Sequence, residues 1–279
     1  MFDFTVDANV KLIKALGAKT NLKFGEIRTL LAKKDIKVNG ARVGKDVSLK
    51  IGDTVTVYAP DTAVKSVKLS DLFSIIYQDD NILVVNKFKG VNSDTVYDKL
   101  LSSFTEVYYI HRLDLNTDGI MVFAKNKRSE EELLFGFKNK TFNKYYLALV
   151  YGAFDKPQDV LTDYLIKDKD ASKVFITKKS DKGSKIITSY KTLKKGRDTS
   201  LVEVELLTGK THQIRAHLAF YGHFIIGDGK YGQSSVNNAL GIKKQQLSSY
   251  KLTLNFTKED YLYYLNGKTF TVDKDIKLY

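Results

Sequence analysis

The stretch HRLDLNTDGIMVFA, residues 111–124, joins a polar loop to an apolar, partly β-branched run, and it predicts a buried strand that starts at the end of the loop. Asp114, Asn116 and Asp118 also satisfy the first half of the EF-hand calcium pattern. That pattern requires a glutamate six residues after its glycine, and Lys125 stands there instead. A cation does not ligate Ca²⁺, so Asp114 needs another reason to precede the strand.

The composition is that of a folded, basic chain without cysteine. The 279 residues include 45 Lys and Arg against 32 Asp and Glu, a net charge of +13, and 43% of them are hydrophobic. This excess of positive charge favours a polyanionic partner such as nucleic acid. The lack of cysteine excludes disulfides, thiolate zinc sites and cysteine nucleophiles. The sequence shows no signal peptide and no run long enough to span a membrane, so we expect a soluble, cytoplasmic protein.

Strands dominate the predicted secondary structure of the larger part of the chain, residues 75–279. At its start, IIYQDDNILVVNK indicates two strands around an Asp-Asp-Asn turn. This pattern favours an α+β domain with a largely antiparallel sheet. Further strands are predicted at 120–124, 144–150, 186–193 and 201–207.

Two helices are predicted between these strands. The first spans 129–137, where Ser129 and Glu132 match a capping box. The second spans 211–220, with Thr211 as its N-cap and Gly222 beyond its end.

Residues 1–60 form a smaller and more basic part, with 11 basic and 6 acidic side chains. Apolar residues recur at helical spacing in VKLIKAL and in FGEIRTLL, which predicts two helices. The pair Asn39-Gly40 between β-branched residues indicates a hairpin, because both turn positions need a positive φ. A Gly-Asp turn and a strand close this part. Residues 61–74 have no clear period and are interpreted as a linker.

This order of two helices, a hairpin and a strand resembles the small RNA-binding domain of the S-four type, named after a protein of the small ribosomal subunit. The resemblance covers about residues 7–60. It implies that the basic face of the second helix and the hairpin contact RNA. The side chains concerned are Lys23, Arg28, Lys33, Lys34 and Arg42.

Three stretches of the larger part place chemically useful groups beside elements that can hold them. HRLD brings Asp114 to a loop-to-strand junction. NKYYLALVYG puts Tyr145 and Tyr146 on opposite faces of a strand. TGKTHQIRAH puts His212 and Arg215 on one face of a helix.

Other catalytic patterns fail on spacing. The GKT at 209–211 lacks the glycine that a P-loop needs five residues earlier, where Val204 stands. His212 and His217 are five residues apart, which does not bring them to one helical face for zinc. A Ser-His-Asp triad has no G-x-S-x-G turn on which to stand.

The three stretches, in this order and spacing, resemble the RluA-type pseudouridine synthases across about residues 75–279. HRLDLNTDG is similar to the HRLDxxTSG signature of that family, and KYYLALVYG is similar to its later tyrosine motif. LLTGKTHQIRAHLAFYGHFIIGDGKYG is similar to its TGRTHQIRxHL…G…I.GD..YG block. Three ordered blocks make the match specific.

The resemblance implies that the protein isomerises uridine in RNA to pseudouridine without a cofactor or a metal. Asp114 is then the essential carboxylate, either as nucleophile at the ribose or as the base that removes the 2′ proton. Arg215 is its cationic partner, with the guanidinium forked onto the carboxylate. Tyr146 assists with the proton at C5 of the flipped uracil and stacks on the ring. The implied substrate contacts are Arg112 in the space left by the base, Ile214 against the base, Lys210 and His212.

The chain departs from the family at several positions. Lys210 stands where arginine is usual, which keeps a phosphate contact but loses a bidentate one. Asp118 replaces the usual serine and adds a second carboxylate near Asp114. Phe88 replaces the proline of NKPxG. His111 is expected to be structural, donating to the backbone around the catalytic turn.

These observations together predict a monomeric RNA pseudouridine synthase with an RNA-binding domain at 1–60 and a catalytic domain at 75–279. This pairing of domains favours large-subunit ribosomal RNA as substrate over transfer RNA. Two other functions remain open. One is a catalytically inactive RNA-binding or ribosome-assembly factor, against which the presence of Asp114, Tyr146 and Arg215 argues. The other is a nucleoside or glycoside hydrolase with Asp118 as its second carboxylate.

Overall fold

The computed structural model of the protein describes residues 1–20, 22, 24–59, 69–167 and 173–279. The chain divides into two compact units, Met1–Lys68 and Leu69–Tyr279. Most of the segment interpreted as a linker lies outside the described residues. Its described end is already structured, because a short 3-10 turn is followed by a strand that begins at Phe73.

The smaller unit packs two helices against short strands. Its sheet has the order β1-β6-β3-β4, and β2 pairs with β5. Asn39 and Gly40 both have positive φ, as the hairpin prediction requires. The first helix begins at Leu12, so Val10 belongs to a strand and not to the predicted helix. The elements are β1 (Phe2–Thr5), β2 (Val10–Lys11), α1 (Leu12–Lys19), α2 (Phe24–Ala32), β3 (Ile36–Val38), β4 (Ala41–Arg42), β5 (Ser48–Leu49) and β6 (Thr54–Val57).

Every predicted strand of the larger unit is present, along with the ten-residue strand Gln158–Lys167 and several short strands that were not predicted. The unit opens with β7 (Phe73–Gln78), β8 (Ile82–Lys87), α3 (Ser93–Leu101), β9 (Tyr108–Tyr109), β10 (Asp118–Ala124) and α4 (Lys127–Asn139). It continues with β11 (Asn143–Tyr151), β12 (Gln158–Lys167), β13 (Val174–Thr177), β14 (Ser184–Lys195) and β15 (Thr199–Leu206). It ends with α5 (Gln213–Phe220), α6 (Ser234–Ala239), β16 (Leu247–Thr253) and β17 (Thr269–Thr271).

The strands of the larger unit form one sheet, with eleven strands among the described residues. The order is β13-β12-β14-β15-β11-β16-β10-β8-β7, with β17 on β16 and β9 on β10. All of these pairs are antiparallel except β10 with β16, which confirms a mixed fold with a mostly antiparallel sheet. The parallel pair matters for function, because β10 follows directly after the loop that carries Asp114.

The buried run of β10 serves two cores, one on each face of the sheet. Met121 and Phe123 join the core that contains Leu113, Tyr146 and Ile214. Ile120, Val122 and Ala124 point to the other face and pack with helix α4 through Leu133. Full burial of a large apolar side chain contributes about 1.5–3 kcal/mol. Burial on both faces therefore explains why the run is apolar at successive positions rather than alternating.

Helix α4 starts two residues before the predicted position. Asn126 is its N-cap, and its side-chain oxygen accepts a hydrogen bond from the backbone N–H of Ser129 at 2.9 Å. The predicted capping box is therefore wrong. Glu132 instead accepts the backbone N–H groups of Tyr261 and Leu262, so it ties a distant loop to the helix.

Helix α5 begins at Gln213, and the predicted N-cap at Thr211 is wrong. The residue before the helix is His212, in the left-handed region with φ 53°, and its side chain makes no cap hydrogen bond. The Gln213 side-chain oxygen holds this turn by accepting from the Thr208 hydroxyl at 2.9 Å and the Lys210 backbone N–H at 3.2 Å. Gly222 lies past the end of the helix with φ +85°, as predicted.

Candidate active site

Asp114 lies in a loop that is fastened on both sides. The hydroxyl of Ser93, the first residue of α3, accepts the N–H of Leu113 at 3.0 Å and donates to its carbonyl at 2.8 Å. On the other side, the Thr117 N–H donates to the carbonyl of Asp114 at 3.0 Å. The side chain of Asp114 is 28% exposed, so a substrate can reach a carboxylate whose backbone is held in place.

A close approach of three strands brings this loop beside Tyr146. Gly119 in β10 pairs with Ser249 in β16, and Ser249 pairs with Tyr146 in β11. A β-carbon at Gly119, which has φ +115°, would lie 2.0 Å from the Ser249 carbonyl oxygen, so only glycine fits there. Burial raises the pKa of Tyr146 to about 12, and the negative charge of Asp114 adds to this rise. Its hydroxyl therefore keeps its proton at neutral pH.

Arg215 connects two carboxylates. Its Nη1 donates to Oδ2 of Asp114 at 2.7 Å, while Nε and Nη2 form a fork onto Asp228 at 2.7 and 2.9 Å. The expected contact with Asp114 is present, but the expected fork is on Asp228 instead. Burial opposes the charge of Arg215, yet the two carboxylates raise its pKa above the ordinary value. The guanidinium is thus a fixed cation aimed at Asp114.

Asp228 is the buried anchor of this arrangement. Besides the fork of Arg215, its Oδ1 accepts the backbone N–H groups of Lys230 at 2.8 Å and Tyr231 at 3.1 Å. Burial works against its ionised form, but Arg215 and these N–H groups outweigh burial and lower the pKa of Asp228. A buried ion pair is stable only when its remaining hydrogen-bonding positions are satisfied, and this one meets that condition.

His212 approaches the same carboxylate oxygen of Asp114 as Arg215. Its Nε2 is 3.9 Å from Asp114 Oδ2, and its Nδ1 is 3.0 Å from the Tyr231 hydroxyl. That hydroxyl accepts the Val174 N–H, so its own proton is available to Nδ1 and the ring proton is assigned to Nε2, facing Asp114. Burial lowers the pKa of His212, which leaves the ring neutral at pH 7.

Lys87 is fully buried below the loop. Its ammonium donates to the carbonyls of Val91 at 2.7 Å and Phe88 at 3.2 Å, with Leu115 at 3.5 Å. Burial lowers the pKa of Lys87 to about 8, although the charges of Asp118 and Asp114 counteract this effect. The ammonium therefore holds the chain on either side of the candidate site together.

His111 is structural, but in the opposite hydrogen-bonding sense to the prediction. The backbone N–H of Val122 donates to its Nε2 at 3.1 Å, so the ring accepts rather than donates. The ring also stacks on Phe137, with centroids 4.4 Å apart. Burial lowers the pKa of His111 to about 3, so the ring stays neutral as this bond requires.

The remaining predicted residues divide by exposure. Ile214 is buried in the core that also holds Tyr146 and Leu113. Arg112 is 65% exposed and lies 3.4 Å from Asp94, and Lys210 is exposed as well. In the smaller unit Arg28, Lys33, Lys34 and Arg42 are exposed, whereas Lys23 lies outside the described residues.

The structure thus brings Asp114, Arg215, His212 and Tyr146 to one end of the parallel strand pair. The sequence-based prediction missed three residues with clear roles there: Asp228, Tyr231 and Lys87. The first two stand in the GDGKYG block, and Lys87 ends an otherwise apolar strand, so both signals were present. The sequence did not show what each of these residues contacts, because the partner is either distant in the chain or a backbone carbonyl.

Metal-binding clusters and membrane-spanning helices are both absent from the described residues. Within these ranges, no group of three or more histidine and acidic side chains is arranged to hold a metal ion. No helix in the same ranges is long and apolar enough to cross a membrane.

Comparisons with known proteins agree on one family. A family model described as RNA pseudouridylate synthase matches residues 81–220. The chain is 31% identical to the ribosomal large subunit pseudouridine synthase C of Vibrio cholerae, over 76% of this chain and 73% of that relative. It is 32% identical to the dual-specificity RNA pseudouridine synthase RluA of Vibrio vulnificus, over 63% of this chain and 77% of the relative. The solved structure of human RNA pseudouridylate synthase domain containing 1 is 27% identical with a TM-score of 0.59, over 68% of this chain and 80% of that one.

Proposed function

Because the chain belongs to the RNA pseudouridylate synthase family and is an isomerase that acts on RNA, we propose that it modifies uridine in large-subunit ribosomal RNA with Asp114 as its essential carboxylate. The observation that carries the proposal is the 2.7 Å contact between Asp114 Oδ2 and Arg215 Nη1. The carboxylate is partly exposed, so a ribose can reach it, and the guanidinium fixes its position. The name of the Vibrio cholerae relative supports the choice of ribosomal RNA, and transfer RNA is the second candidate.

The reaction breaks the bond between N1 of uracil and C1′ of the ribose and forms a bond between C5 and C1′. Asp114 either attacks C1′ or removes the 2′ proton, and the Arg215 guanidinium holds the carboxylate oxygen in place for either route. The proton at C5 must then leave, and N1 must gain one. We assign Tyr146 to this exchange as a relay: its hydroxyl, close enough to Asp114 for that charge to raise its pKa, accepts the C5 proton as it passes its own proton to N1 or to water. No cofactor is needed in this scheme.

The target base must leave the RNA stack before it reacts, at a cost of a few kcal/mol. Arg112, exposed and two residues before Asp114, is proposed to fill the gap left by the base. Ile214 belongs to the same core as Tyr146 and is proposed to give the ring of the base an apolar contact. His212 and the exposed Lys210 precede α5 and are proposed to bind the flipped nucleotide and its phosphate.

The smaller unit is proposed to be an S-four-type RNA-binding domain at residues 1–60, and the larger unit, which already begins at Leu69 and not at residue 75, is proposed to be the catalytic domain. Its exposed basic side chains include Arg28 at the surface of α2 and Lys33 and Lys34 just after that helix ends. The Arg42 guanidinium is held in place by the Lys34 carbonyl at 2.7 Å and lies 5.3 Å from the centre of the Tyr58 ring. Fixed cations beside an aromatic ring suit an RNA backbone and its bases.

Incubation of the purified protein with unmodified large-subunit ribosomal RNA, without added metal, is expected to yield pseudouridine. Tritium release from RNA labelled at C5 of uridine measures turnover, and nucleoside analysis of digested RNA identifies the product. Transfer RNA and small-subunit ribosomal RNA serve as matched substrates. Product from transfer RNA alone would contradict the proposed substrate, and RNA binding without any product would favour an inactive ribosome-assembly factor.

The proposed RNA contacts of the smaller unit are tested by replacing Arg28, Lys33 and Lys34 together by glutamine. Each lost phosphate contact lowers the slope of log affinity against log salt by about 0.7–0.9, so we expect a slope smaller by about 2 units and at least tenfold weaker RNA binding. The rate at saturating RNA should be unchanged, because these residues belong to the other unit. Binding titrations at four salt concentrations measure the effect.

The control for this variant removes the same charge from the larger unit, where Lys194, Lys195 and Arg197 are exposed. Their replacement by glutamine is expected to leave the salt slope nearly intact. Equal slopes for both triple variants would show that the smaller unit has no special share in RNA binding.

A further inference from the structure

Asp118 takes no part in the proposed chemistry, yet it lies four residues after Asp114, at the first position of β10. Its side chain is only 14% exposed and is not turned out to solvent as a loop carboxylate usually is. A largely buried carboxylate costs free energy unless it is paired. What it is paired with therefore indicates why it is there.

Two ammonium groups from distant parts of the chain meet at Asp118. Lys274 Nζ donates to its Oδ2 at 2.6 Å, and Lys89 Nζ lies 3.5 Å from its Oδ1. The Lys274 side chain is 19% exposed, so this ion pair is partly shielded from solvent. Shielded pairs are screened by salt much less than surface pairs, and losing one partner costs correspondingly more.

Lys89, the second of these lysines, also connects Asp118 to the loop of the candidate site. Lys89 also donates to the carbonyl of Gln245 at 2.7 Å, and the Gln245 side-chain amide donates to the Thr117 hydroxyl at 2.8 Å. The Thr117 backbone N–H in turn donates to the carbonyl of Asp114. Asp118 is therefore linked to Asp114 through its ion pair with Lys89 and these hydrogen bonds, as well as through the backbone.

The first lysine belongs to the tail segment, residues 272–279, which is held at both ends. The Val272 N–H donates to the Tyr250 carbonyl at 2.8 Å. At the other end the Thr199 hydroxyl donates to the Tyr279 carbonyl at 2.9 Å and accepts the Tyr279 N–H at 3.0 Å. Lys274 thus comes from a segment that is hydrogen-bonded to β16 and β15. Its ion pair with Asp118 therefore ties the start of β10 to those two strands.

The local charges explain why a carboxylate is needed here. Lys87, Lys89 and Lys274 all approach the same end of β10, and their mutual repulsion is offset by Asp118. Burial lowers the pKa of Lys89 while Asp118 raises it, so the carboxylate favours the charged form of that lysine. A serine at position 118 would leave the lysines without this counter-charge.

We propose that Asp118 and Lys274 are positioning residues for pseudouridine formation: their ion pair fastens the tail segment to the end of the loop that carries Asp114 and fixes where that carboxylate lies. The inference rests on the proposed role of Asp114. Asp118, which replaces the serine of the family signature, and Lys274 of the tail segment then share one role, which is to hold the Asp114 loop in position. Neither side chain touches the substrate.

The test is a double-mutant cycle with Asp118→Asn, Lys274→Met and the variant that carries both. Single-turnover rates at saturating protein, RNA affinity at several salt concentrations, and thermal unfolding are measured for each. Since misplacing a reacting group by about 1 Å can cost up to about 10²-fold in rate, we expect each single variant to lose about tenfold. The double variant should lose about the same, because both changes break one interaction. RNA affinity should stay within about twofold, since a positioning pair makes no phosphate contact.

Lys277→Met is the matched control, because Lys277 is an exposed lysine of the same tail segment. It removes one positive charge three residues away and is expected to keep the wild-type rate. If Lys274 instead binds an RNA phosphate, Lys274→Met will weaken RNA binding and lower the salt slope by about 0.7–0.9 while the rate at saturation stays unchanged, which would overturn the proposal.

Losses that multiply to about 100-fold in the double variant would also overturn it, because independent effects multiply. A loss of rate that only follows the fraction of protein unfolded at the assay temperature would overturn it as well. Wild-type protein and Asp114→Asn are assayed on the same RNA. An inactive wild type defeats the proposed function and this inference together, whereas an active wild type with unaffected Asp118 and Lys274 variants defeats this inference alone.

Discussion

Replacing Asp114 by asparagine is expected to abolish pseudouridine formation, with a loss of at least about 10⁴-fold in the single-turnover rate, the scale seen when an enzyme loses its nucleophile or base. Asparagine keeps the size of the side chain but removes the charge that both proposed routes require. Arg215 keeps its fork onto Asp228, so the surrounding structure has no reason to collapse. Tritium release and product analysis with excess protein measure the rate.

RNA binding and thermal stability of Asp114→Asn should stay close to wild type, which separates a loss of chemistry from a loss of fold. Asp198→Asn is the matched control, because Asp198 is an exposed aspartate of the same unit that pairs with Arg197. A rate for Asp114→Asn within tenfold of wild type would show that Asp114 is not the essential carboxylate.

Replacing Asp228 by asparagine is expected to reduce both stability and activity. Asp228 is fully buried and accepts the fork of Arg215, and removing one partner of a buried ion pair costs about 3–5 kcal/mol of the free energy of unfolding. The Arg215 guanidinium would then no longer be held in a fixed position against Asp114, so we expect the rate to fall by about 10²-fold. Denaturant unfolding and single-turnover assays measure the two effects.

The pH dependence of stability gives an independent check on Asp228. Its pKa in the folded protein is lowered, so its stabilising contribution is complete above the ordinary aspartate pKa of about 3.9 and is lost as the pH falls toward the lowered value. Asp228→Asn should therefore lose most of its stability difference from wild type under strongly acidic conditions.

Asp163→Asn is the control for burial alone. Asp163 is as buried as Asp228 and also pairs with a residue of α5, His217, but none of its contacts reaches Asp114. It should destabilise the protein with a much smaller loss of rate. Equal losses of rate in Asp163→Asn and Asp228→Asn would indicate that Asp228 supports the fold of α5 and does not specifically orient Arg215.

Much of the larger unit could be predicted from periodicity, because its strands are long and apolar. The helix starts were less predictable, because NKRSEE contains several possible caps and local chemistry does not choose among them. Asn126 became the N-cap of α4, and Glu132 was left to accept the N–H groups of Tyr261 and Leu262, more than a hundred residues away. The start of α5 was displaced in the same way by the Gln213 side chain.

The candidate site shows a similar division. Asp114 and Arg215 were paired on the basis of the family signature, and their 2.7 Å contact is present in the structure. The sequence could not show that the guanidinium forks onto Asp228 instead, because both carboxylates are possible partners. Only the packing of α5 against the loop that follows it decides between them.

By itself, the sequence determined the strand-rich architecture, the family, and the three stretches that carry the candidate catalytic groups, because each depends on residues close together in the chain. The tertiary structure alone decided which charges meet. Lys274 reaches Asp118 across 156 positions, and Arg215 reaches Asp114 across 101. Such pairs form only once β16 lies beside β10 and Gly119 rests against Ser249, because side-chain contacts over that distance depend on which strands are neighbours.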